Sequence, residues 1–160
     1  MNRLSYATIT SRYGHIKDGK WADESKWMTN CIPPQAIKDC VINSNNNNKP
    51  LSKIYCNKDV LPFLQQALAN IVAHNLQHEL KTFDGGFNIR MVRGSADKAS
   101  LHSWGLAVDF GSKDNPLGAV KTSFSSSLIS CFTDAGWIWG GSFSRKDNMH
   151  FEISDIILAN

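Results

Sequence analysis

Ser100-Leu-His-Ser-Trp-Gly-Leu-Ala-Val-Asp-Phe110 and Asp147-Asn-Met-His-Phe-Glu152 are the two stretches that decide how this chain folds. Side chains of an extended segment alternate between its faces, so Val108 and Phe110 lie on one side of the first stretch and Ala107 and Asp109 on the other. The second stretch repeats the pattern, with Met149, Phe151 and Ile153 apolar on one face and His150 and Glu152 polar on the other. Each is expected to be a strand with its apolar face in the core. As neighbours they would place Asp109 and His150 on one shared face. His102 lies just upstream of Gly105, where the backbone can turn and carry the imidazole back over that face.

Two histidines and one aspartate then converge. A catalytic zinc takes three protein ligands of the N/O kind and leaves a fourth position for a water whose pKa it lowers to about 7. Asp147, three residues before His150 at the strand entry, is left without a ligand role and can act as general base. Taken singly, such a histidine also suits a hydrogen-bonded structural role and such an aspartate a turn. Neither plain role explains why polar exceptions fall on matched faces of two otherwise apolar strands.

The pattern Ser100-x-His102-x-x-Gly105-x-Ala107-x-Asp109, followed by Gly136-Trp-x-Trp-Gly-Gly141 and Asp147-x-Met-His150-Phe-Glu152, resembles the zinc D-alanyl-D-alanine carboxypeptidase family. More closely, it resembles the branch that contains single-domain phage endolysins cutting peptidoglycan stem peptides, L-alanyl-D-glutamate endopeptidases among them. Phe83-Asp-Gly-Gly-Phe-Asn-Ile-Arg90-Met-Val-Arg-Gly94 resembles the glycine-and-arginine segment that precedes the first metal motif there. The resemblance spans about residues 58–153. It implies Zn2+ held by His102, Asp109 and His150, Asp147 as the catalytic acid/base, and an arginine that grips substrate or the developing oxyanion. Residues 1–57 carry no such resemblance.

The 160 residues, 42% apolar and 19% charged, suit one soluble domain with a real core. The expected organisation is a single peptidase domain over 1–160, with an N-terminal arm and loops at 1–57 and a catalytic core at 58–153. Seventeen basic against fourteen acidic residues give +3, a bias that helps approach to an anionic wall polymer and is too small to argue nucleic acid. The N-terminal segment lacks the apolar run of a secretory signal, and no stretch approaches ~18 apolar residues. The expectation is therefore a monomer without membrane insertion, made in a host cytoplasm and acting on the bacterial wall after release. Its partner is the peptidoglycan stem peptide.

In the arm, Asn43-Ser-Asn-Asn-Asn-Asn48 followed by Lys-Pro is loop chemistry. Trp21 and Trp27 are expected to anchor the arm to the core, the alternative being a saccharide groove. Cys31, Cys40, Cys56 and Cys131 have no Cys-x-x-Cys spacing, and synthesis in a reducing compartment argues for free thiols. From Asp59 to Thr82, apolar residues at three- and four-residue steps predict a long core helix with Asn57 as cap and Pro62 in the first turn. His74 and His78 would share one face of it, but no glutamate between them completes a His-Glu-x-x-His site.

Asp84-Gly85-Gly86 reads as a turn into a strand from Phe87 to Arg93. Arg90 and Arg93 would then point to opposite faces; the resemblance favours Arg90 as the substrate-gripping fork, with Arg93 as the alternative. Ser100 either orients substrate or caps the turn that places His102. A second helix is expected from Val120 to Ala135, ended by Gly136. Of the two tryptophans that follow, either can be core; the resemblance implies that one of them, Trp139 before Trp137, walls the site.

The fold class expected is α+β: one domain with an antiparallel sheet carrying the zinc site and helices packed on it, as in D-alanyl-D-alanine peptidases and the hedgehog signalling domain. The latter resemblance leaves open a zinc-stabilised module that binds wall or virion components without turnover. Among enzymes, the bond remains open between an L-alanyl-D-glutamate endopeptidase and a D-alanyl-D-alanine carboxypeptidase.

Overall fold

Ala107–Phe110 and His150–Ile153 are antiparallel neighbours, with His150 opposite Asp109, Phe151 opposite Val108 and Glu152 opposite Ala107. The computed structural model, which describes residues 1–92, 94–95 and 98–159, builds a mixed α+β fold around this pair. In chain order the elements are α1 (Tyr6–Tyr13), β1 (Ile16–Lys17), β2 (Lys20–Trp21), α2 (Glu24–Trp27), β3 (Met28–Cys31), α3 (Gln35–Cys40), β4 (Ile42–Asn43), β5 (Lys49–Pro50) and β6 (Ile54–Asn57). There follow α4 (Leu61–Ala73), β7 (Thr82–Gly85), β8 (Ala107–Phe110), α5 (Ser126–Thr133), β9 (Trp137–Trp139) and β10 (His150–Ile153).

The main sheet has the order β5-β4-β7-β8-β10-β9. It is mixed rather than wholly antiparallel, because β4 and β7 run parallel. That pairing brings the asparagine-rich turn after β4 to the sheet edge, where the Ser44 hydroxyl donates to Asp84 and the Asn45 amide to the Asp84 carbonyl. Behind β8 and β10 the apolar face is filled by rings: Phe132 of α5 stacks on Phe151 with centroids 3.9 Å apart, and Phe83 meets Phe110 edge-on at 5.5 Å. Fully burying each such ring contributes roughly 1.5–3 kcal/mol.

Local chemistry corrects several expectations. The core helix stops at Ala73, because Asn75 takes a left-handed conformation (φ 54°); Gln77–Glu79 forms a separate 3-10 turn. His74 and His78 are therefore not on one helical face, and both are exposed. Pro62 does fall in the first turn, whereas Asn57 does not cap the helix: its side chain accepts from the Asp59 N–H and donates to the Trp104 carbonyl. The strand expected at 87–93 is instead Thr82–Gly85. Residues after Gly86 are irregular because their hydrogen bonds run to the 100–104 segment, Asn88 N–H to His102 O and Arg90 N–H to Ser103 Oγ. The second helix is shorter than expected and starts where Ser125, itself held by Glu79, caps the Leu128 N–H.

The arm packs into the core through its aromatics. Trp21 is buried, and Tyr13 meets both Trp21 and Trp27 edge-on. The four cysteines are free, with only Cys40 exposed. Burial pushes the Cys56 thiol up to about 12, helped by neighbouring Cys31, so it is no nucleophile near neutral pH.

Gly105 joins the arm to the site. It sits at φ 68° after the 3-10 turn Leu101–Trp104, and a Cβ there would lie 2.7 Å from Met28 side-chain atoms and 2.8 Å from the Asn57 nitrogen. The left-handed backbone alone costs an L-residue about 1–2 kcal/mol. Gly105→Ala is expected to destabilise the fold by about 2 kcal/mol or more once the clash is added, read as a lower urea midpoint at unchanged m-value.

Candidate metal centre

Asp109 and His150 face each other because their strands pair in that register. His102 joins them from the 3-10 turn, whose N-cap, Ser100, accepts the His102 N–H on its hydroxyl. Trp104 anchors the far end of the turn by donating to the Gly14 carbonyl. The ligand-capable atoms of His102, Asp109 and His150 lie within 4.8 Å of one another. Among the described residues, no other group of three or more His, Cys, Asp or Glu side chains is close enough to hold an ion.

Hydrogen bonding decides which nitrogens face inward. His102 Nδ1 is 2.7 Å from the Gly86 carbonyl, which can only accept, so Nδ1 carries the hydrogen and Nε2 presents a lone pair. That Nε2 is buried, lacks a hydrogen-bond partner among the described residues, and lies 3.2 Å from Asp109 Oδ2. His150 Nε2 is 3.0 Å from Glu152 Oε1, which leaves Nδ1 to face Asp109 Oδ1 at 3.1 Å. Lone pairs and carboxylate oxygens thus converge, an arrangement that calls for a cation between them. Two imidazoles and a carboxylate, each imidazole backed by an acceptor on its other nitrogen, form a donor set of the kind that metal ions such as zinc take.

The acidic groups respond to this crowding. For Asp109, burial pushes the carboxyl up, but His102 and His150 together hold it well below the usual range. Burial pulls the His150 imidazole down, and Asp109 and Glu152 more than offset it, raising it far above an ordinary histidine. Glu152 is 1% exposed; burial raises it, while His150 and Arg3 bring it below the usual glutamate value. Asp147 moves the other way. Burial raises it and nearby Asp109 adds to the rise, against opposite pulls from His150, His102 and Arg90.

Asp147 sits on the loop that leads into β10, and the loop is pinned. Asp147 N–H donates to Gly140 O, His150 N–H donates to Asp147 O, and the buried Asn148 amide donates to the Ala119 and Lys121 carbonyls. Trp139 serves this loop. It does not line the cavity at the site; its indole donates to the Asn148 carbonyl at 2.7 Å and lies against Gly141. That cavity, about 350 Å³, is lined by Arg3, Arg90, Ser100, Asp109, Asp147 and His150 among others. Arg90 lines the cavity, its backbone clasped by the Ser103 hydroxyl and the Ser100 N–H; Arg93, the alternative, lies outside the described residues.

Residues 93–153 match the model of a family described as D-alanyl-D-alanine carboxypeptidase. The match, over less than half of the chain, supports a peptidase acting on peptidoglycan-related substrates. Among curated proteins, no relative matches the chain. The matched span holds His102, Asp109, Asp147 and His150, but not Arg90 or Arg3. No helix among the described residues is long and apolar enough to cross a membrane.

Two contributors stand outside the candidate site residues read from the sequence. Glu152 was legible in principle, since strand alternation puts it beside His150 on the polar face. Arg3, whose Nε lies 3.1 Å from Glu152 Oε2, comes from the opposite end of the chain and carries no local signal.

A metal ion at His150 Nδ1 would have to displace the proton that Asp109 holds there, on an imidazole whose other nitrogen faces Glu152. Apparent zinc affinity is therefore expected to keep rising with pH beyond the ordinary imidazole value of about 6.5, measured by competition with a chromophoric chelator. In the metal-free chain the sign is reversed: the stability from the raised His150 is full below about 6.5 and is lost as pH rises through its folded value. A second expectation concerns Gly140, where a Cβ would overlap the Asp147 carbonyl oxygen and stand 3.1 Å from the His150 Cβ. Gly140→Ala is expected to lower both zinc stoichiometry and turnover, read by metal analysis beside a peptide-release assay.

Proposed function

We propose that this chain is a zinc-dependent peptidase that hydrolyses peptidoglycan stem peptides, and that it cuts the L-alanyl-D-glutamate bond in the manner of a phage endolysin. The observation that carries the reading is the convergence of three metal-competent side chains with Asp147 and Arg90 in one open cavity. His102 Nε2, Asp109 and His150 Nδ1 would hold the ion. When bound there, zinc supplies Lewis acidity to a carbonyl oxygen and lowers the pKa of a water molecule to about 7.

The remaining work falls to the chain's own groups. Asp147, with its carboxyl pKa raised by burial, takes the proton of the attacking water and returns it to the departing amine. Its raised pKa brings it closer to the working pH of such an acid/base. Arg90 presents a planar fork that can grip a substrate carboxylate or the oxygen on which charge develops. Ser100, which also lines the cavity, caps the turn that presents His102. Trp139 braces the Asp147 loop, so its part is positional rather than substrate contact.

A purely structural zinc has no need of a carboxylate beside an open cavity, which argues against the wall-binding or virion module. Carboxypeptidase action on a terminal D-alanine is the second reading, favoured by the description of the matching family. The similarity of the quoted motifs to the lysin branch favours the internal bond.

Mass spectrometry of purified peptidoglycan fragments incubated with zinc-loaded protein tests the proposal. Release of stem peptides cut after L-alanine is expected; release of single D-alanine assigns the carboxypeptidase reading, and intact fragments assign the binding module. Asp147→Asn is expected to lose about 10²–10⁴-fold in rate with zinc content unchanged. Arg90→Ala is expected to lose catalysis in the same way, again with metal retained.

A further inference from the structure

Arg3 belongs to a segment without an assigned role, yet it reaches the metal centre. The backbone of residues 2–3 runs beside the end of β10. Arg3 pairs antiparallel with Ser154, the Asn2 N–H donates to Asp155 Oδ1 at 3.0 Å, and the Asp155 N–H donates to the Asn2 carbonyl at 2.9 Å. Leu4, next in the chain, is buried. Anchored in this way, the Arg3 guanidinium forks onto Glu152, Nε to Oε2 at 3.1 Å and Nη2 to Oε1 at 3.2 Å. It also lies over the Phe143 ring, 3.8 Å from the centroid.

Both of these partners touch His150. Glu152 Oε1 accepts from His150 Nε2 at 3.0 Å, and the Phe143 ring stands 5.9 Å from the imidazole, centroid to centroid. One side chain from the N-terminal segment therefore holds two supports on the outer side of the imidazole.

We propose that Arg3 is a positioning residue of the metal centre: by clamping Glu152 and Phe143 it fixes the plane of His150 and keeps the hydrogen on Nε2, leaving Nδ1 for the ion. The proposal rests on the reading of His102, Asp109 and His150 as the ligand set. A carboxylate gripped by two N–H groups of a rigid fork cannot rotate freely, whereas one held at a single point can. A carboxylate behind a ligating histidine sets its tautomer and orientation, and losing such a partner typically weakens metal binding about 10- to 100-fold. Merely tying down the N-terminal segment is the part of the Asn2–Asp155 contacts, and gives no reason for an arginine aimed at the carboxylate behind His150.

The test is the zinc dissociation constant of the full chain, by chelator competition, for wild type, Arg3→Ala and Arg3→Lys, beside the visible spectra of their cobalt-substituted forms. Arg3→Ala, shown folded by circular dichroism, is expected to bind zinc about 10- to 100-fold more weakly with an altered cobalt spectrum. Arg3→Lys keeps the charge but loses the fork, so it should recover part of the affinity. Wild-type affinity and spectrum in folded Arg3→Ala overturn the proposal and leave the peptidase reading intact, while a wild type that binds no zinc overturns both. Should Arg3→Ala not fold, Arg3→Lys decides: a weaker site with a changed spectrum supports the proposal, and wild-type values overturn it.

Discussion

The pairing of His150 with Asp109 across β8 and β10 is the constraint on which the rest of the structure depends. Side chains alternate with a period of two, so a one-residue slip would send His150 and Glu152 into the aromatic layer and turn Phe151 towards the site. The slip is opposed from behind, where Phe151 stacks on Phe132 and Phe110 packs between Phe83 and Phe132. The burial that stabilises the core thereby fixes the position of the polar groups on its other face. β9 adds to this by pairing Trp139 with Phe151, and the same tryptophan then braces the loop that carries Asp147.

That polar face is expensive to build. Every residue of β10 is buried, including His150 and Glu152, and a buried acceptor without a partner costs about 1–3 kcal/mol. The chain meets this in layers. The Gly86 carbonyl and Glu152 take the outward N–H of the two histidines, and Arg3 takes both oxygens of Glu152. What remains at the centre is a set of facing acceptors, His102 Nε2, His150 Nδ1 and the Asp109 carboxylate, for which a proton or a metal ion is the natural occupant. Proton and metal then compete for one place, and this couples metal binding to pH.

Much of this was legible in the sequence. The two strands, their matched faces and the convergence of His102, Asp109 and His150 followed from period-two patterning and the break at Gly105, and all are present in the fold. The failures have physical causes. The helix pattern ran past Ala73 because Leu76 and Leu80 continue its apolar spacing, while the left-handed turn at Asn75 leaves no trace in periodicity. The segment from Phe87 reads as a strand because Phe87 and Ile89 are apolar at alternate positions, but Asn88 and Arg90 bond to the 100–104 turn, and only an isolated Met91–Ala99 bridge forms beyond them. The parallel β4–β7 pair and the Arg3–Glu152 contact join residues far apart in sequence, and no local pattern encodes such pairings.

The division between rigid and irregular backbone bears on how such a site works. Asp109 and His150 stand on paired strands, where position is fixed by the ladder, and His102 on a capped turn tied to the arm through Trp104 and Asn57. Asp147 and Arg90 stand outside the named strands, held by individual bonds to Gly140, Ser103 and Ser100, with only an isolated Met91–Ala99 bridge beside Arg90. In the proposed roles, the metal ligands must hold their geometry throughout a reaction, whereas Asp147 and Arg90 must adjust by fractions of an ångström as bonds form and break. Irregular backbone with a few well-placed hydrogen bonds permits that adjustment, and the neighbouring sheet limits its extent. The glycines sit where this arrangement is tightest: Gly140 passes so close to Asp147 and His150 that no side chain fits. The loop bearing Asp147 is thereby brought against the strand of His150 by a close backbone contact.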